Sequence, residues 1–151
     1  MGAMERLYRE DGDRLWRAVY AYAGSREIAD DAVAEAFTQA IRRGHELREP
    51  LAWVWRVAFR LAAGELKDRR LGTALADEPT EEEEPMFDLI RALAKLSPSQ
   101  RASVLLHHYA GYPTAEVAQI LGSSPGAVRV HLSEGRRRLR ELLPQEVADD
   151  A

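Results

Sequence analysis

Five arginines, Arg129, Arg136, Arg137, Arg138 and Arg140, crowd a short stretch near the C-terminal end of the chain, with Glu134 as the one acid among them. A guanidinium keeps its charge at all ordinary pH values. Its planar fork of donors matches phosphate oxygens and the acceptor edge of guanine. Val130 offers an apolar surface of the kind that meets a thymine methyl, and His131 and Ser133 add polar groups. The chemistry such a set can do is recognition of a polyanion, not bond breaking. The sequence has no Ser-His-Asp set, paired-carboxylate pocket or phosphate-cradling glycine loop, so catalysis is not expected. The adjacent pair His107-His108 would diverge on a helix rather than converge on one ion. With no cysteine in the chain, no metal site, disulfide or cofactor is expected.

These side chains need an element to present them, and the spacing supplies one. Thr114 opens a helix with Val117, Ile120 and Leu121 as its apolar stripe, and Gly122 closes it. Ser124 caps the next helix, with Pro125 at its first position and Val128, Leu132, Leu139 and Leu142 facing inward. From Gly111 to Leu143 this is the layout of a helix-turn-helix, whose second helix enters the DNA major groove. Two helices precede it. Phe87, Leu89, Ile90, Leu93 and Leu96 stripe the first. Ser97-Pro98 starts the second, which buries Ala102, Val104, Leu105 and Tyr109 before Gly111 ends it.

The N-terminal part is helical in period throughout. Leu7, Leu15, Val19 and Tyr22 mark a helix ending near Gly24. Ser25 caps a second, with Ile28, Ala32, Val33, Ala36, Phe37, Ala40 and Ile41 buried and Gly44 as its stop. A polar loop, His45 to Pro50, leads to a third with Trp53, Val54, Val57, Ala58, Leu61 and Ala62 inward. That stripe puts Trp53 in the core and leaves Trp55 for solvent or a partner. No segment alternates with the period of a strand.

Net charge is −4 over 151 residues, which looks wrong for a polyanion binder. The distribution resolves this. Residues 71–86 hold six acids and no base, including Glu81 to Glu84, while the flanking parts are each slightly basic. Clustered like charge with Pro79 and Pro85 reads as a flexible linker. The expected organisation is a helical bundle over 1–70, an acidic linker over 71–86, a helix-turn-helix domain over 87–144 and a tail over 145–151. No apolar run nears the roughly 20 residues that span a bilayer, and the first residues lack the apolar core of a secretory signal. A cytoplasmic, nucleoid-associated protein is expected.

The run DDAVAEAFTQAIRR, with PLAWVWRVAFRLAAGELKDRR after it, resembles region 2 of the small bacterial sigma factors of the extracytoplasmic-function type. The run LSPSQRASVLLHHYAGYPTAEVAQILGSSPGAVRVHLSEGRRRLREL resembles region 4 of the same family. The resemblance covers roughly residues 5–143. It implies an all-α, two-domain factor that binds core RNA polymerase and promoter DNA and performs no chemistry of its own. Region 4 would read the upstream −35 element as duplex, through Arg129, Val130, His131 and Ser133 at bases, and Arg136 and Arg137 at phosphates. Glu134 stands where the family often has arginine. Asp31, Glu35 and Phe37 match the polymerase-binding helix, with Ala34 in place of a common polar residue. His45, Pro50, Arg56 and Arg60 match the elements that open the strands and capture bases of the −10 element. Lys67, Arg69 and Arg70 would meet its phosphates. Arg60 and Gly64 stand where asparagine and aspartate are frequent. The acidic linker would mimic phosphates in a polymerase channel. An anti-sigma factor clamping both domains is a further partner the resemblance allows, and no homo-oligomer is needed. Two rivals remain at this point: a self-sufficient helix-turn-helix regulator, and a sigma-like decoy acting through protein contacts alone.

Overall fold

A computed structural model of the chain describes residues 2–69 and 84–143. The described residues are helical with short turns and hold no strand. They fall into two compact units, divided between Ala76 and Asp77.

The first unit is a three-helix bundle of α1 (Ala3–Ala23), α2 (Arg26–Arg43) and α3 (Pro50–Arg69). Its punctuation follows residue chemistry. Gly24 takes φ +68°, a left-handed conformation that favours glycine, and its N–H donates to the Tyr20 carbonyl to close α1. The Ser25 hydroxyl then accepts from the Ile28 N–H and opens α2. A single 3-10 turn, Gly44–Glu46, leads towards α3. Leu15, Val19, Ile28, Ala36, Val54 and Ala58 form the dry centre.

Two indoles tie the bundle together. Trp16 Nε1 donates to Asp30 Oδ1 at 2.7 Å, linking α1 to α2. Trp55 Nε1 donates to Asp11 Oδ2 at 2.8 Å, linking α3 to α1. This reverses the sequence expectation for the tryptophans. Trp55 is only 2% exposed, while Trp53 is half-buried under the Arg43 guanidinium. The buried stripe of α3 is Val54, Trp55, Ala58, Phe59 and Ala62, about 100° round the helix from the expected one. Asp11 satisfies the indole N–H, which removes the cost of burying it. Ile41 also departs from expectation. It is 59% exposed because it lies on the outer side of α2 in line with Ala34 and Thr38, while Ala40 beside it is buried.

The second unit comprises α4 (Glu84–Ala94), α5 (Pro98–Val104), α6 (Thr114–Leu121) and α7 (Pro125–Leu142). Helix α4 starts inside the segment expected as linker. Pro85 does not prevent this, because the first turn of a helix needs no proline N–H. Arg70, the rest of the expected linker and the tail lie outside the described residues. Ser97 and Gln100 form a reciprocal capping box at the start of α5. Helix α5 runs into a π turn, Leu105–Tyr109, which leaves Tyr109 38% exposed instead of buried. Arg101 is buried, and its guanidinium donates to the carbonyls of Leu93 (2.9 Å) and Leu96 (3.2 Å). A cation thus sits at the C-terminal end of α4, where the Leu93 carbonyl also accepts from the Leu96 N–H at 3.0 Å and positive charge is favourable.

Helix α7 seats on α5 at Gly135. A Cβ there would stand 2.8 Å from Val104 Cγ2, 3.5 Å from Leu96 Cδ2 and 3.6 Å from the Gln100 carbonyl. Val128, Leu132 and Leu139 complete the buried side of α7.

Two stability predictions follow from these contacts. Asp11→Ala leaves the Trp55 indole without its acceptor and should cost about 1–2 kcal/mol. Tryptophan fluorescence checks this cleanly in denaturant, because Trp16, Trp53 and Trp55 all lie in the first unit. An unchanged midpoint would contradict the tie. Gly135→Ala gains up to about 1 kcal/mol of helix propensity but overpacks a buried contact at about 1–3 kcal/mol. The expected net is a loss, seen as faster amide exchange along α7 with unaltered tryptophan fluorescence.

Candidate nucleic-acid interface

The turn before α7 is built by three local devices. Gly122 at φ +66° ends α6, the Ser124 hydroxyl accepts from the Ala127 N–H at 3.1 Å, and Pro125 occupies the first helical position. Burial of Val128, Leu132, Gly135 and Leu139 sets which side of α7 is free. At about 100° per residue, Arg129, Val130, Ser133, Arg137 and Arg140 then share roughly a third of the circumference. All five are exposed, Val130 by 53%. Arg129 folds back over the first turn, its Nη2 3.9 Å from the place a Cβ would take at Gly126. The result is a continuous basic face with one apolar contact on it, opposite the buried stripe.

Three residues of this region stand elsewhere than the sequence suggests. His131 is two positions from both Arg129 and Ser133, so it turns away from their face. It is half-buried, and its Nδ1 is buried with no hydrogen-bond partner among the described residues. His131 therefore stands off the face that Arg129 and Ser133 share. Glu134 sits at the edge of the face and is engaged already. Gln100 Nε2 donates to its Oε2 at 3.0 Å, while Gln100 Oε1 accepts from the Ser97 N–H at 3.1 Å. One amide joins the start of α5 to the flank of α7. Arg138 pairs with Glu141 at 3.5 Å, on the side away from Arg129.

Arg136, half-buried at the other edge, meets His108 of the π turn. The distance from its Nη1 to His108 Nε2 is 3.3 Å. His107 turns the other way, with Nδ1 2.8 Å from the Tyr112 carbonyl, and the two imidazoles meet edge to face at 4.9 Å. Burial, the neighbouring His107 and the Arg136 charge together hold the His108 pKa below its ordinary value. Sequence reasoning weighed His107-His108 only as a metal pair. The π turn that sends the rings to different partners has no signature in the sequence. Among the described residues no group of three potential ligands gathers.

In the first unit, α2 presents Asp31, Ala34, Glu35, Thr38 and Ile41 along one exposed side. Glu35 Oε1 accepts from Gln39 Nε2 at 3.0 Å. Phe37 belongs to the buried stripe of α2, as its spacing predicts, and does not share the exposed side with Asp31 and Glu35. It is 5% exposed, with Tyr8 edge-on to it at 5.0 Å, so it braces the helix from within. His45 is exposed in the 3-10 turn, and Pro50 is half-buried where α3 begins. Arg60 and Lys67 are exposed on α3. Arg56 is half-buried, its Nε buried and without a hydrogen-bond partner among the described residues. Arg69 is held 3.2 Å from Glu27. Arg43 and Trp53, whose guanidinium and ring stack at 5.4 Å, stand beside this group and were not among the expected residues.

Comparison with known proteins places this geometry. Residues 86–139 match the model of Sigma-70, region 4. The ECF RNA polymerase sigma factor SigL of Mycobacterium tuberculosis is 30% identical over 94% of this chain and 89% of its own length. The ECF RNA polymerase sigma factor BldN of Streptomyces coelicolor is 28% identical over 95% of this chain. The chain spans only 61% of the length of BldN. The sigma factor RpoE of Bartonella quintana, solved in complex with the anti-sigma factor NepR, matches at a TM-score of 0.80. That match covers 91% of this chain and 94% of RpoE at 19% identity, a likeness of fold. With a relative this similar over nearly its whole length, and with an exposed basic helix inside the segment matched to region 4, the chain belongs to the ECF family of RNA polymerase sigma factors.

Proposed function

We propose that the chain is an alternative sigma factor, which binds core RNA polymerase and directs promoter-specific initiation. The observation that carries the reading is the exposed face of α7, where Arg129, Val130, Ser133, Arg137 and Arg140 stand together on a seated helix. Such a face suits the major groove of a −35 duplex. Arg129 and Val130 lie near the N-terminal turn, where base edges are reached. Arg137 and Arg140 suit phosphates further along. In the first unit, the exposed carboxylates Asp31 and Glu35 suit a basic surface of the polymerase. His45, Arg56, Arg60, Lys67 and Arg69 suit the opened −10 strand, with phosphate contacts supplying affinity and unstacked bases the specificity. The factor contributes recognition and no chemistry of its own. RpoE is found with an anti-sigma factor, and a partner of that class is proposed for this chain too.

Reconstitution with core RNA polymerase tests the reading. Specific transcripts from a selected promoter are expected, and absence of both binding and transcripts would sink it. Arg129→Ala should weaken promoter binding by about 1–3 kcal/mol while leaving polymerase affinity intact. Asp31→Ala with Glu35→Ala should do the opposite. If Arg129→Ala abolished polymerase binding, the roles assigned to the two faces would be wrong.

A further inference from the structure

Arg136 lies at the edge of the basic face and is held there from outside its own helix. The π turn carries His108 to within 3.3 Å of Arg136 Nη1, across 28 residues of sequence. His107 does not compete for that place, because its Nδ1 is engaged by the Tyr112 carbonyl. His108 is exposed, so a ligand can reach the pair from solvent. We propose that His108 and Arg136 together form a subsite for one backbone phosphate of a bound duplex, with His108 joining Arg136 as a second donor once it takes up a proton. The inference rests on the duplex-binding reading of α7 and adds a residue that reading did not use.

The physical case is a competition between two hydrogen bonds. Neutral His108 accepts from Arg136 through Nε2 and so fixes the guanidinium with one of its five donors. Protonated His108 cannot accept, and it repels Arg136. A phosphodiester oxygen between them reverses this, because it accepts from both cations and offsets their repulsion. The proton comes from solvent, and no covalent bond changes. The groups facing His108 agree with this account. His107 from the same turn and Arg136 from α7 both disfavour its charged form. Tyr109 follows in the same turn. On α5 the Arg101 guanidinium is turned to the Leu93 and Leu96 carbonyls, and on α6 Glu116 is the sole titratable side chain. Neither Arg101 nor Glu116 is among the groups that shift His108.

The sign follows from linkage. In the free chain the His108 pKa is lowered, and an adjacent phosphate raises it. The complex therefore holds more protons than the separate partners between those two values. Duplex affinity should rise as pH falls through the interval between those two values, by up to about tenfold per pH unit. The test uses the full chain and a short labelled duplex of arbitrary sequence, at fixed ionic strength. Anisotropy gives the affinity at each pH, and the imidazole proton resonances give the titration of each of the four histidines. We expect His108 to titrate at higher pH with saturating duplex than without it. His108→Gln should flatten the pH dependence, and His131→Gln should keep it. An unmoved His108 titration in a bound complex overturns the subsite while leaving the function reading standing. A full pH slope retained in His108→Gln does the same. No duplex binding at any pH overturns both the subsite and the duplex-binding reading of α7, while reconstitution with core polymerase still decides the function reading.

Discussion

The rotation of α7 about its own axis is what the second unit depends on, and a missing side chain sets it. At Gly135 the helix comes so close to α5 that even one methyl group would stand 2.8 Å from Val104 Cγ2. Helices pack only as closely as the side chains between them allow. Removing that side chain lets Val128, Leu132 and Leu139 bury together on the same side. Once that side is fixed inward, the period of the helix leaves Arg129, Ser133, Arg137 and Arg140 outward. Arg101 of α5 ties the end of α4 into the same unit through two carbonyls.

Much of this was legible because helix ends are written in local chemistry. Gly24, Ser25, Gly44, Ser97, Gly122 and Ser124 each act on the nearest turn of backbone, and all stand where the sequence places a boundary. The helix-turn-helix was visible for the same reason. Rotation within the bundle was less so. A helical stripe of Trp53, Val54, Val57 and Ala58 and one of Val54, Trp55, Ala58 and Phe59 fit the residue types almost equally well. The decision rests with Asp11, 44 residues away, whose carboxylate gives the Trp55 indole a buried partner. Non-local satisfaction of a polar atom leaves no period to read.

The candidate site divides along the same line. Arg129, Val130 and Ser133 follow from spacing on one helix. His131 shows the limit of reading a run of residues as a set. It sits within that run, yet the two-residue step turns it toward the flank. His108 and Gln100 belong to the site through contacts from α5 and the π turn, 28 and 34 residues from their partners. Glu134 illustrates what such contacts change. Taken alone, a carboxylate beside four arginines would repel the phosphates they attract. Bonded to Gln100, which is itself bonded to Ser97, it is held at the flank and serves as a brace between α5 and α7.

The charge pattern then has a physical sense that a net value of −4 conceals. Screening limits a charge to neighbours within roughly 8–10 Å at physiological salt. A partner therefore meets a local face and not a total. On α7 that face is basic, and on α2 the exposed side carries Asp31 and Glu35. Two faces of opposite sign, each on a separate compact unit, cannot both suit one polyanion. A duplex is attracted to the first and repelled by the second, and a basic protein surface shows the reverse preference. Segregated signs of this kind suit two chemically different surfaces, since neither attracts what the other does.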